Sequence, residues 1–525
     1  MKRLFALTLL FAFVAPALSD DYPRSTSLNA LHYRIRLELK DSTDEINGET
    51  EILFAVTRDS TKELSLDLSG MTVAEVKENS RPAKFTHVNN RLSVALEGAY
   101  RRDDRFTVSI KYRGVPRDGL FIKKNKFGDR TFFADNWPNR ARHWFPSIDH
   151  PYDKASAEFF VTAPDRYDVV ANGALIETKS LQNGSRLWHW RESAAIPTYC
   201  MVIGAAEFSI INVGSWNNTP VVYYLYPKDR DRGMKDYGRA VEMLEFYSNL
   251  IGPYPYEKLA LVQSSTRFGG MENSSSIFFD EKAFNGSGAL EGTVAHEIAH
   301  QWFGDSVTES DWHHLWLSEG FATYFGHLFF ERRDGRDKFL TLMRADRESL
   351  LAGARPIYDP SIKDLFQLLN SNNYQKGGWV LHMLRGVMGD EKFFAAIRDY
   401  YRLYRDGNAL TEDFQRAMEL HYEKPLDWFF RQWIYEPGYP VYDAAWRWDE
   451  ATKEVRLIIA QKQTGTIFRM PMDVEIRFDN AARRFRIEVS QREEAFSFKL
   501  DARPHSIAID TDEWVLKKVN VREEK

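Results

Sequence analysis

The chain has 525 residues, of which 43% are apolar and 14% aromatic, a composition that indicates filled globular cores and excludes a disordered protein. Its length is too great for one ordinary domain and predicts about three, at roughly 150 residues each. The formal net charge of −5 gives no indication of the basic patch or stripe that nucleic-acid binding normally needs, so we expect no nucleic-acid partner.

The first residues have the layout of a secretory signal peptide. Two basic residues precede an apolar run over residues 4–18, and Ala17 and Ser19 are small residues placed for cleavage before Asp20. The alternative, an uncleaved anchor, is disfavoured because a helical span needs about 20 apolar residues. We therefore expect residues 1–19 to be removed and the protein to be exported, periplasmic or secreted, with no membrane contact after cleavage. N-terminal sequencing of the mature protein tests this.

Residues 20–212 contain many short strands. The segment 33–39 alternates apolar and polar residues as a half-buried strand does, and 51–57, 106–112 and 157–163 behave similarly. This pattern predicts an N-terminal antiparallel β domain. Cys200 is the single cysteine, so the chain has no internal disulfide and no cysteine-based zinc site, and its apolar surroundings predict a buried strand.

The pattern changes to helices over residues 213–440, starting with helical spacing of apolar residues over 235–250. Strands return at 455–460, 474–478 and 484–489, which predicts a small C-terminal β-sandwich module over 441–525. The predicted fold class is α+β.

A zinc-binding pattern lies in the helical region. His296 and His300 are four residues apart, so one helical turn places both imidazoles on the same face. Two neutral imidazoles suit Zn²⁺, and Glu297 lies beside them as a general base. Thr293 is placed to cap the start of this helix.

Glu319 is the candidate for the third ligand. It lies in a second predicted helix, and its carboxylate would complete a His-His-Glu set that leaves a fourth position for water. The alternative is a chance match to the His-Glu-x-x-His pattern, which the helical context and the following carboxylate disfavour. Zinc lowers the pKa of its water from about 15.7 toward 7, and Glu297 then takes the proton.

Three motifs in this order resemble the M1 family of zinc aminopeptidases. They are His296-Glu-Ile-Ala-His-Gln-Trp-Phe-Gly-Asp with Trp316-Leu-Ser-Glu-Gly-Phe-Ala, Gly269-Gly-Met-Glu-Asn, and Tyr374-Gln-Lys-Gly. The resemblance covers most of the chain, including Asn172-Gly173 in the β domain. It implies one zinc ion per chain, held by His296, His300 and Glu319, in a thermolysin-like catalytic domain over residues 213–440.

The resemblance also implies roles for residues around the metal. Glu272 is expected to bind the free α-ammonium of a peptide substrate, and Tyr374 to donate its hydroxyl to the developing oxyanion. Gly269 and Gly270 would let a strand run close to the peptide. Met271 is expected to pack or to form a subsite wall. The implied partners are peptides with a free N-terminus.

The sequence departs from the family in two places. Relatives carry a Gln or Glu near the amine site where this chain has Asp135-Asn-Trp137. Either Trp137 covers the ammonium with its ring, or Asp135 supplies a carboxylate, or Trp137 only packs; the Michaelis constant of Trp137→Ala for aminoacyl substrates tests the first. The large helical domain that follows in relatives is expected to be absent, since about 85 residues after Pro440 are strand-like.

Two other functions stay open at this point. One is an endopeptidase on a thermolysin-like scaffold, which N-terminally blocked peptides would distinguish because an aminopeptidase leaves them uncut. The other is a secreted, non-catalytic binding protein, which metal analysis would address. Phe268, before the glycine pair, predicts an apolar pocket for an uncharged N-terminal side chain, and best turnover of substrates that begin with Asp or Glu would contradict it.

Overall fold

The computed structural model describes residues 20–350, 355–479 and 481–524. The predicted signal peptide, residues 1–19, lies outside these residues and stays a prediction. None of the helices in these ranges combines the length and the apolar character that a membrane span requires.

The N-terminal part is built from strands, as predicted. They are β1 (Leu28–Glu38), β2 (Ile46–Val56), β3 (Thr61–Asp67), β4 (Thr72–Glu78), β5 (Arg81–Pro82), β6 (Lys84–Val88), β7 (Arg91–Tyr100), β8 (Arg105–Gly114), β9 (Leu120–Lys124), β10 (Arg130–Ala134), β11 (Lys154–Pro164), β12 (Asp168–Ala171), β13 (Ala174–Ser180), β14 (Ser185–Pro197) and β15 (Ile203–Ala206). They form an eight-stranded sheet in the order β13-β14-β11-β1-β2-β8-β4-β5, a sheet β12-β15-β10-β9 and a sheet β3-β7-β6.

The alternation of apolar and polar residues determines which face of the eight-stranded sheet is buried. Tyr33, Ile35 and Leu37 of β1 are buried, while the residues between them are more exposed. Most pairings are antiparallel, but β1 and β11 run parallel, with His32 opposite Ser156. Sequence alternation cannot distinguish the two directions, because both give side chains the same period of two residues.

The strand predicted around Cys200 is wrong. Thr198–Cys200 is a buried turn of 3₁₀ helix, and β15 begins only at Ile203. The amide of Asn136 donates to the carbonyls of Thr198 and Met201, and that of Asn172 donates to the carbonyl of Cys200. Because side chains satisfy these carbonyls, the segment needs no neighbouring strand.

The middle part combines helices with a second sheet. Its elements are β16 (Ser209–Trp216), β17 (Thr219–Leu225), α1 (Arg230–Asp236), α2 (Ala240–Leu250), β18 (Leu259–Ser264), β19 (Gly270–Met271), β20 (Ser276–Asp280), α3 (Glu291–His300), β21 (Val307–Glu309), α4 (Trp316–Asp334), α5 (Arg336–Ser349), α6 (Gly377–Met388), α7 (Asp390–Tyr404), β22 (Gly407–Ala409), α8 (Thr411–Tyr422) and α9 (Asp427–Phe430). The five-stranded sheet has the order β16-β17-β18-β20-β19, and β21 pairs with β22. The predicted domain boundary at residue 212 falls inside β16, so the change of sheet comes before Ser209.

The five-stranded sheet lies between the N-terminal strands and the helices. On β17, Tyr223 faces the core shared with the helices, whereas its neighbour Tyr224 faces the core of the N-terminal strands. Leu261 and Val262 of β18 divide in the same way. This sheet therefore fixes the N-terminal part relative to the helices, and it places β19, at the end of the described sheet, beside α3.

The C-terminal part consists of strands, as predicted. They are β23 (Val441–Asp449), β24 (Glu454–Gln461), β25 (Met470–Arg477), β26 (Ala482–Val489), β27 (Glu493–Lys499), β28 (Ser506–Ile509) and β29 (Lys518–Glu523). They form two sheets, β27-β24-β23-β29 and β26-β25-β28. Side chains of both sheets share one hydrophobic cluster with the helices. Phe468, just before β25, also packs there, with its ring centroid 4.7 Å from that of Trp433.

Candidate active site

Helix α3 carries His296, Glu297 and His300 within its last five residues. It begins at Glu291, so the prediction that Thr293 caps it is wrong: Thr293 lies inside the first turn. The helix starts earlier because the backbone N–H of Glu291 already donates to the carbonyl of Gly288 in the preceding turn. The four-residue spacing of the two histidines nevertheless brings both Nε2 atoms to one point, 3.0 Å apart.

Glu319 of α4 brings a carboxylate to the same point. Its Oε2 lies 3.2 Å from the Nε2 atoms of both His296 and His300. Ligand distances of about 2.0–2.2 Å in a tetrahedral zinc site imply ligand-to-ligand separations of about 3.4 Å. The three atoms are therefore spaced as the ligands of one small cation, with one position left open.

The orientation of the His300 ring is fixed by contacts of its Nδ1 atom, on the side away from the metal-ligand cluster. Its Nδ1 donates to the carbonyl of Phe303 at 3.1 Å and lies 3.0 Å from the Ser318 hydroxyl. A proton on Nδ1 leaves the lone pair of Nε2 directed at Glu319 and His296, as a metal ligand requires. Gly304 makes this possible: its φ is +117°, and a Cβ there would lie 2.2 Å from Ser318 Oγ.

Two further carboxylates adjoin the metal-ligand cluster. Ligand atoms of Glu272, Glu297 and His300 lie within 4.8 Å of one another, and all three side chains are buried. Burial raises the pKa of Glu272 to about 7 and that of Glu297 well above its usual value. A divalent cation held by the neighbouring ligands would favour the ionised form of both.

The carboxylate of Glu319 and the imidazoles of the two histidines stabilise opposite charges on one another. Burial alone would raise the pKa of Glu319, but the two histidines hold it at about 2. Conversely, burial would lower the pKa of His300, yet Glu319 and Glu272 raise it well above its usual value. A cation that binds here must therefore displace the proton from His300 Nε2. The carboxylate of Glu319 is thus ionised at neutral pH, ready to serve as a ligand.

The backbone around Glu272 is held by side chains from two directions. The amide of Gln301 donates to the carbonyl of Glu272 at 2.7 Å, and its oxygen accepts the N–H of Ser275 at 2.7 Å. From the N-terminal β domain, the amide of Asn172 donates to the carbonyl of Ser274 at 2.6 Å. The position of Glu272 therefore depends on α3 and on the β domain together.

The glycine pair lies at the start of β19, and Gly270 faces Glu297. A Cβ on Gly270 would lie 2.2 Å from Glu297 Oε1, whereas a Cβ on Gly269 would meet nothing within 4 Å. Gly270 and Met271 pair with β20 on one side only, and β19 ends the described sheet. The strand can therefore offer its free edge to an extended peptide.

Tyr374 reaches the site from a π-helical turn, Asn372–Lys376. Its hydroxyl donates to Glu319 Oε1 at 2.7 Å, and its ring lies parallel to that of His296 with centroids 5.9 Å apart. Burial and the Glu319 charge raise its pKa well above the usual value, so the hydroxyl keeps its proton. It is therefore available as a hydrogen-bond donor beside the metal ligands.

A cavity of about 450 Å³ opens onto this cluster. It contains the three expected metal ligands together with Glu297, Glu272, Tyr374, Gly269, Gly270 and Phe268. Met271 is not among the lining residues: it is buried in an aromatic cluster with Trp137 and Trp312.

Trp137 and Asp135 lie behind the cavity wall. Trp137 is 2% exposed, and its ring centroid lies 6.2 Å from that of Phe268, which does line the cavity. Asp135 is fully buried and ion-paired with Arg140. Neither residue lines the cavity in the described structure, and their contribution to amine binding stays a prediction.

Three residues near the site had no role in the sequence analysis. Gln301 directly follows His300, and its polar side chain within a buried helical segment was a usable signal. His327 lies eight residues after Glu319 on α4, close to two helical turns, so helical periodicity places it near the same face. Asp346 lies on α5 and lines the cavity beside His327; no sequence pattern connects these two residues.

Two family models match the chain. Residues 236–433 match the peptidase family M1 domain, and residues 29–200 match the peptidase M1 N-terminal domain. The two matched regions contain all the residues that the cavity and its supporting turns require.

Curated relatives are similar to the chain over the same regions. A tricorn protease-interacting factor F2 from Thermoplasma acidophilum is 29% identical over 72% of this chain and 50% of its own length. A probable aminopeptidase 2 from Sulfurisphaera tokodaii is 26% identical over 79% of this chain and 55% of its own length. A leucyl aminopeptidase from Saccharolobus solfataricus is 24% identical over 85% of this chain and 58% of its own length. The chain spans about half the length of these relatives.

Proposed function

This chain belongs to peptidase family M1, and from that membership we propose that it is a zinc aminopeptidase that removes the N-terminal residue of peptides. The observation that carries the proposal is the position of Glu272, a buried carboxylate within 4.8 Å of Glu297 and His300. Relatives whose names include aminopeptidase support the same activity.

One zinc ion is proposed to be held by His296, His300 and Glu319. The spacing of their donor atoms at 3.0 and 3.2 Å fits a single small cation, and two imidazoles with one carboxylate are a common donor set for catalytic zinc. When bound between these residues, zinc would supply Lewis-acid polarisation of the peptide carbonyl and acidify a neighbouring water molecule.

Glu297 is proposed to move the proton. Its Oε1 lies against the backbone of Gly270, where an extended substrate would pair with the edge of β19. From there it accepts a proton from the attacking water and gives it to the leaving amine. The Tyr374 hydroxyl donates to the carbonyl oxygen as negative charge develops on it, turning from its bond with Glu319.

Glu272 is proposed to bind the α-ammonium of the substrate. Because this carboxylate lies so close to Glu297 and His300, the space between the ammonium and the attacked carbonyl accommodates one residue. The apolar ring of Phe268, which lines the same cavity, favours an uncharged N-terminal side chain.

Replacement of Glu297 by glutamine tests the mechanism. The amide cannot accept the proton, so we expect kcat to fall by about 1,000-fold, within the range for general bases. Metal analysis is expected to find one zinc per chain in both proteins, and Glu319→Gln is the comparison variant that should lose zinc. Retention of most of the rate by Glu297→Gln would remove Glu297 from the mechanism.

Blocked peptides separate the proposal from the endopeptidase alternative. We expect free peptides to be cut and their N-acetylated forms to be left intact, because acetylation removes the charge that Glu272 binds. Cleavage of both forms would favour an endopeptidase. Bound zinc with no turnover of any peptide in a broad panel would favour a binding protein.

A further inference from the structure

The active-site cavity extends past the metal ligands to an end that the proposed chemistry does not use. Glu272 marks one end, beside His300. On the other side of the cluster, α4 passes so close to α3 that a Cβ on Gly326 would lie 3.5 Å from the backbone nitrogen of His296. The residues beyond this crossing include His327 of α4 and Asp346 of α5.

His327 and Asp346 form a pair at this end. His327 Nε2 donates to Asp346 Oδ2 at 2.8 Å, and the two side chains keep 17% and 15% of their surface exposed. Both line the cavity. A carboxylate has about four lone-pair sites, so the bond from His327 leaves Asp346 able to accept further donors.

The charged residues that line the cavity indicate what kind of group the His327–Asp346 pair binds. The described residues that line the cavity include no lysine or arginine. Of the lining carboxylates, Glu319 is a metal ligand, Glu297 the proposed base and Glu272 the proposed amine site. Asp346 is the acid that remains, and no lysine or arginine among the described lining residues pairs with it.

The residues of the substrate that follow the scissile bond are the ones that reach the His327–Asp346 end of the cavity. With its ammonium at Glu272 and its first carbonyl at the metal ligands, a peptide continues away from Glu272, toward α4 and α5. His327 lies eight residues beyond Glu319, about 12 Å along the helix axis. Since an extended chain advances about 3.4 Å per residue, a long side chain on one of the next two residues is needed to reach Asp346.

We propose that Asp346, positioned by His327, binds the cationic side chain of an arginine or lysine within the two residues that follow the scissile bond. This inference rests on the proposed aminopeptidase function and names the class of peptide that the enzyme prefers. His327 holds the carboxylate toward the cavity, and Asp346 supplies the charge.

Matched peptides test the inference. The four are Ala-Arg-Gly-Gly, Ala-Gly-Arg-Gly, Ala-Leu-Gly-Gly and Ala-Gly-Leu-Gly, all C-terminally amidated. We expect wild-type kcat/KM to favour one arginine peptide over its leucine partner by about tenfold, an advantage that Asp346→Asn removes mainly through KM. Glu348→Gln, which removes an exposed carboxylate from the same helix α5, should keep it. The advantage should shrink in high salt, because a partly exposed ion pair is screened.

The role of His327 is tested through the same ratio. His327→Ala should lower the preference for arginine, and His327→Gln, which keeps a donor, should restore most of it. A preference that is unchanged in Asp346→Asn, or lost equally in Glu348→Gln, would overturn the inference.

Binding separates this inference from the proposed function. Calorimetry of the same four peptides with the Glu297→Gln protein measures the arginine preference without turnover. If wild type cut none of the peptides, the proposed function would fail, while the binding ratios with and without Asp346→Asn would still decide the role of Asp346. Efficient cleavage of all four, with no arginine preference in either assay, would reject only the inference.

Discussion

Gly270 leaves the space that Glu297 occupies. A Cβ at this position would lie 2.2 Å from Glu297 Oε1 and 2.5 Å from its carboxyl carbon. Real Cβ atoms do not approach other heavy atoms so closely, so any side chain at residue 270 must displace either the carboxylate or β19. The close approach lets one backbone segment lie within reach of the proposed base and of the substrate.

Gly270→Ala is therefore expected to damage catalysis more than folding. We expect kcat to fall by about 100-fold, the lower range for the loss of a general base, while bound zinc stays at one per chain. Gly269→Ala is the matched comparison, since its Cβ would meet nothing within 4 Å, and its loss should be much smaller. Equal losses in the two variants would mean that contact with Glu297 is not what residue 270 requires.

Single residues differ in how far the sequence predicts them. His296 and His300 meet because one helix places them on one face, which is a local property of the chain. Glu272 could be assigned only through the family resemblance, and its geometry depends on Gln301 and Asn172, which are distant in sequence. Trp137 illustrates the limit: the sequence left open whether its ring covers the amine or only packs, and the structure buries it beside Phe268.

At the scale of elements, α4 meets the start of α6 at two glycines. A Cβ on Gly320 would lie 2.8 Å from the Cα of Gly377, and one on Gly377 would lie 2.9 Å from the Cα of Gly320. Gly320 follows the metal-ligand candidate Glu319, and Gly377 follows the turn that carries Tyr374. This contact keeps the Tyr374 hydroxyl 2.7 Å from Glu319.

Gly377→Ala should separate these two helices. We expect the unfolding free energy to fall by about 1–3 kcal/mol, as for other overpacked interiors, and zinc to dissociate faster because Glu319 shifts. Gly378→Ala is the control, since its Cβ would lie 3.3 Å from the Thr323 methyl group and no nearer than 3.7 Å to backbone. Denaturant unfolding and zinc release to a chelator measure both effects, and wild-type behaviour of Gly377→Ala would show that the contact can relax.

The elements themselves were predicted well where the signal is periodic. Strand alternation located β1, β2, β8 and β11, and the predicted strand segments after residue 440 correspond to β24, β25 and β26. The helix expected over 235–250 is instead two helices, because Gly238 adopts a φ of +58° between α1 and α2. A glycine in a helical pattern is compatible with either outcome, and only its surroundings decide.

At the scale of the whole molecule, Lys154 ties the N-terminal β domain to the helical part. Its buried ammonium donates to the carbonyls of Asp305, Ser306 and Gly407 at 2.8–3.1 Å. The first two carbonyls follow α3, and the third begins β22. One lysine thus connects the first residue of β11 to the segment just before β21 and to the first residue of β22.

Lys154→Met is expected to weaken this connection. Three buried carbonyls lose their donor, so the unfolding free energy should fall by about 2–4 kcal/mol. Lys179→Met, at an exposed position of β13, is the control and should have little effect. Urea unfolding with fluorescence detection measures both, and an unaltered Lys154→Met protein would show that water or rearrangement satisfies the carbonyls.

The loss of unfolding free energy in Lys154→Met should also depend on pH. Burial lowers the pKa of Lys154 from 10.5 to about 8. Between these values the unfolded chain binds more protons than the folded one, so the wild type gains stability as pH rises from 8 toward 10.5. The groups facing Lys154 are Asp406, Cys200, Asp305 and Glu309. The difference between wild type and Lys154→Met should therefore widen across this range, and a constant difference would contradict the lowered pKa.

The sequence by itself determined the order of β, helical and β regions, and the metal-ligand pattern of His296, His300 and Glu319. These follow from side-chain periodicity and from spacing within one helix, which are local properties. Only the tertiary structure decided the parallel pairing of β1 with β11, the support of the Glu272 turn by Asn172, the connection that Lys154 makes between the two parts, and the meeting of His327 with Asp346. Such contacts join residues of different elements. Their geometry depends on how the two hydrophobic cores pack on either side of the five-stranded sheet. No local sequence pattern contains that information.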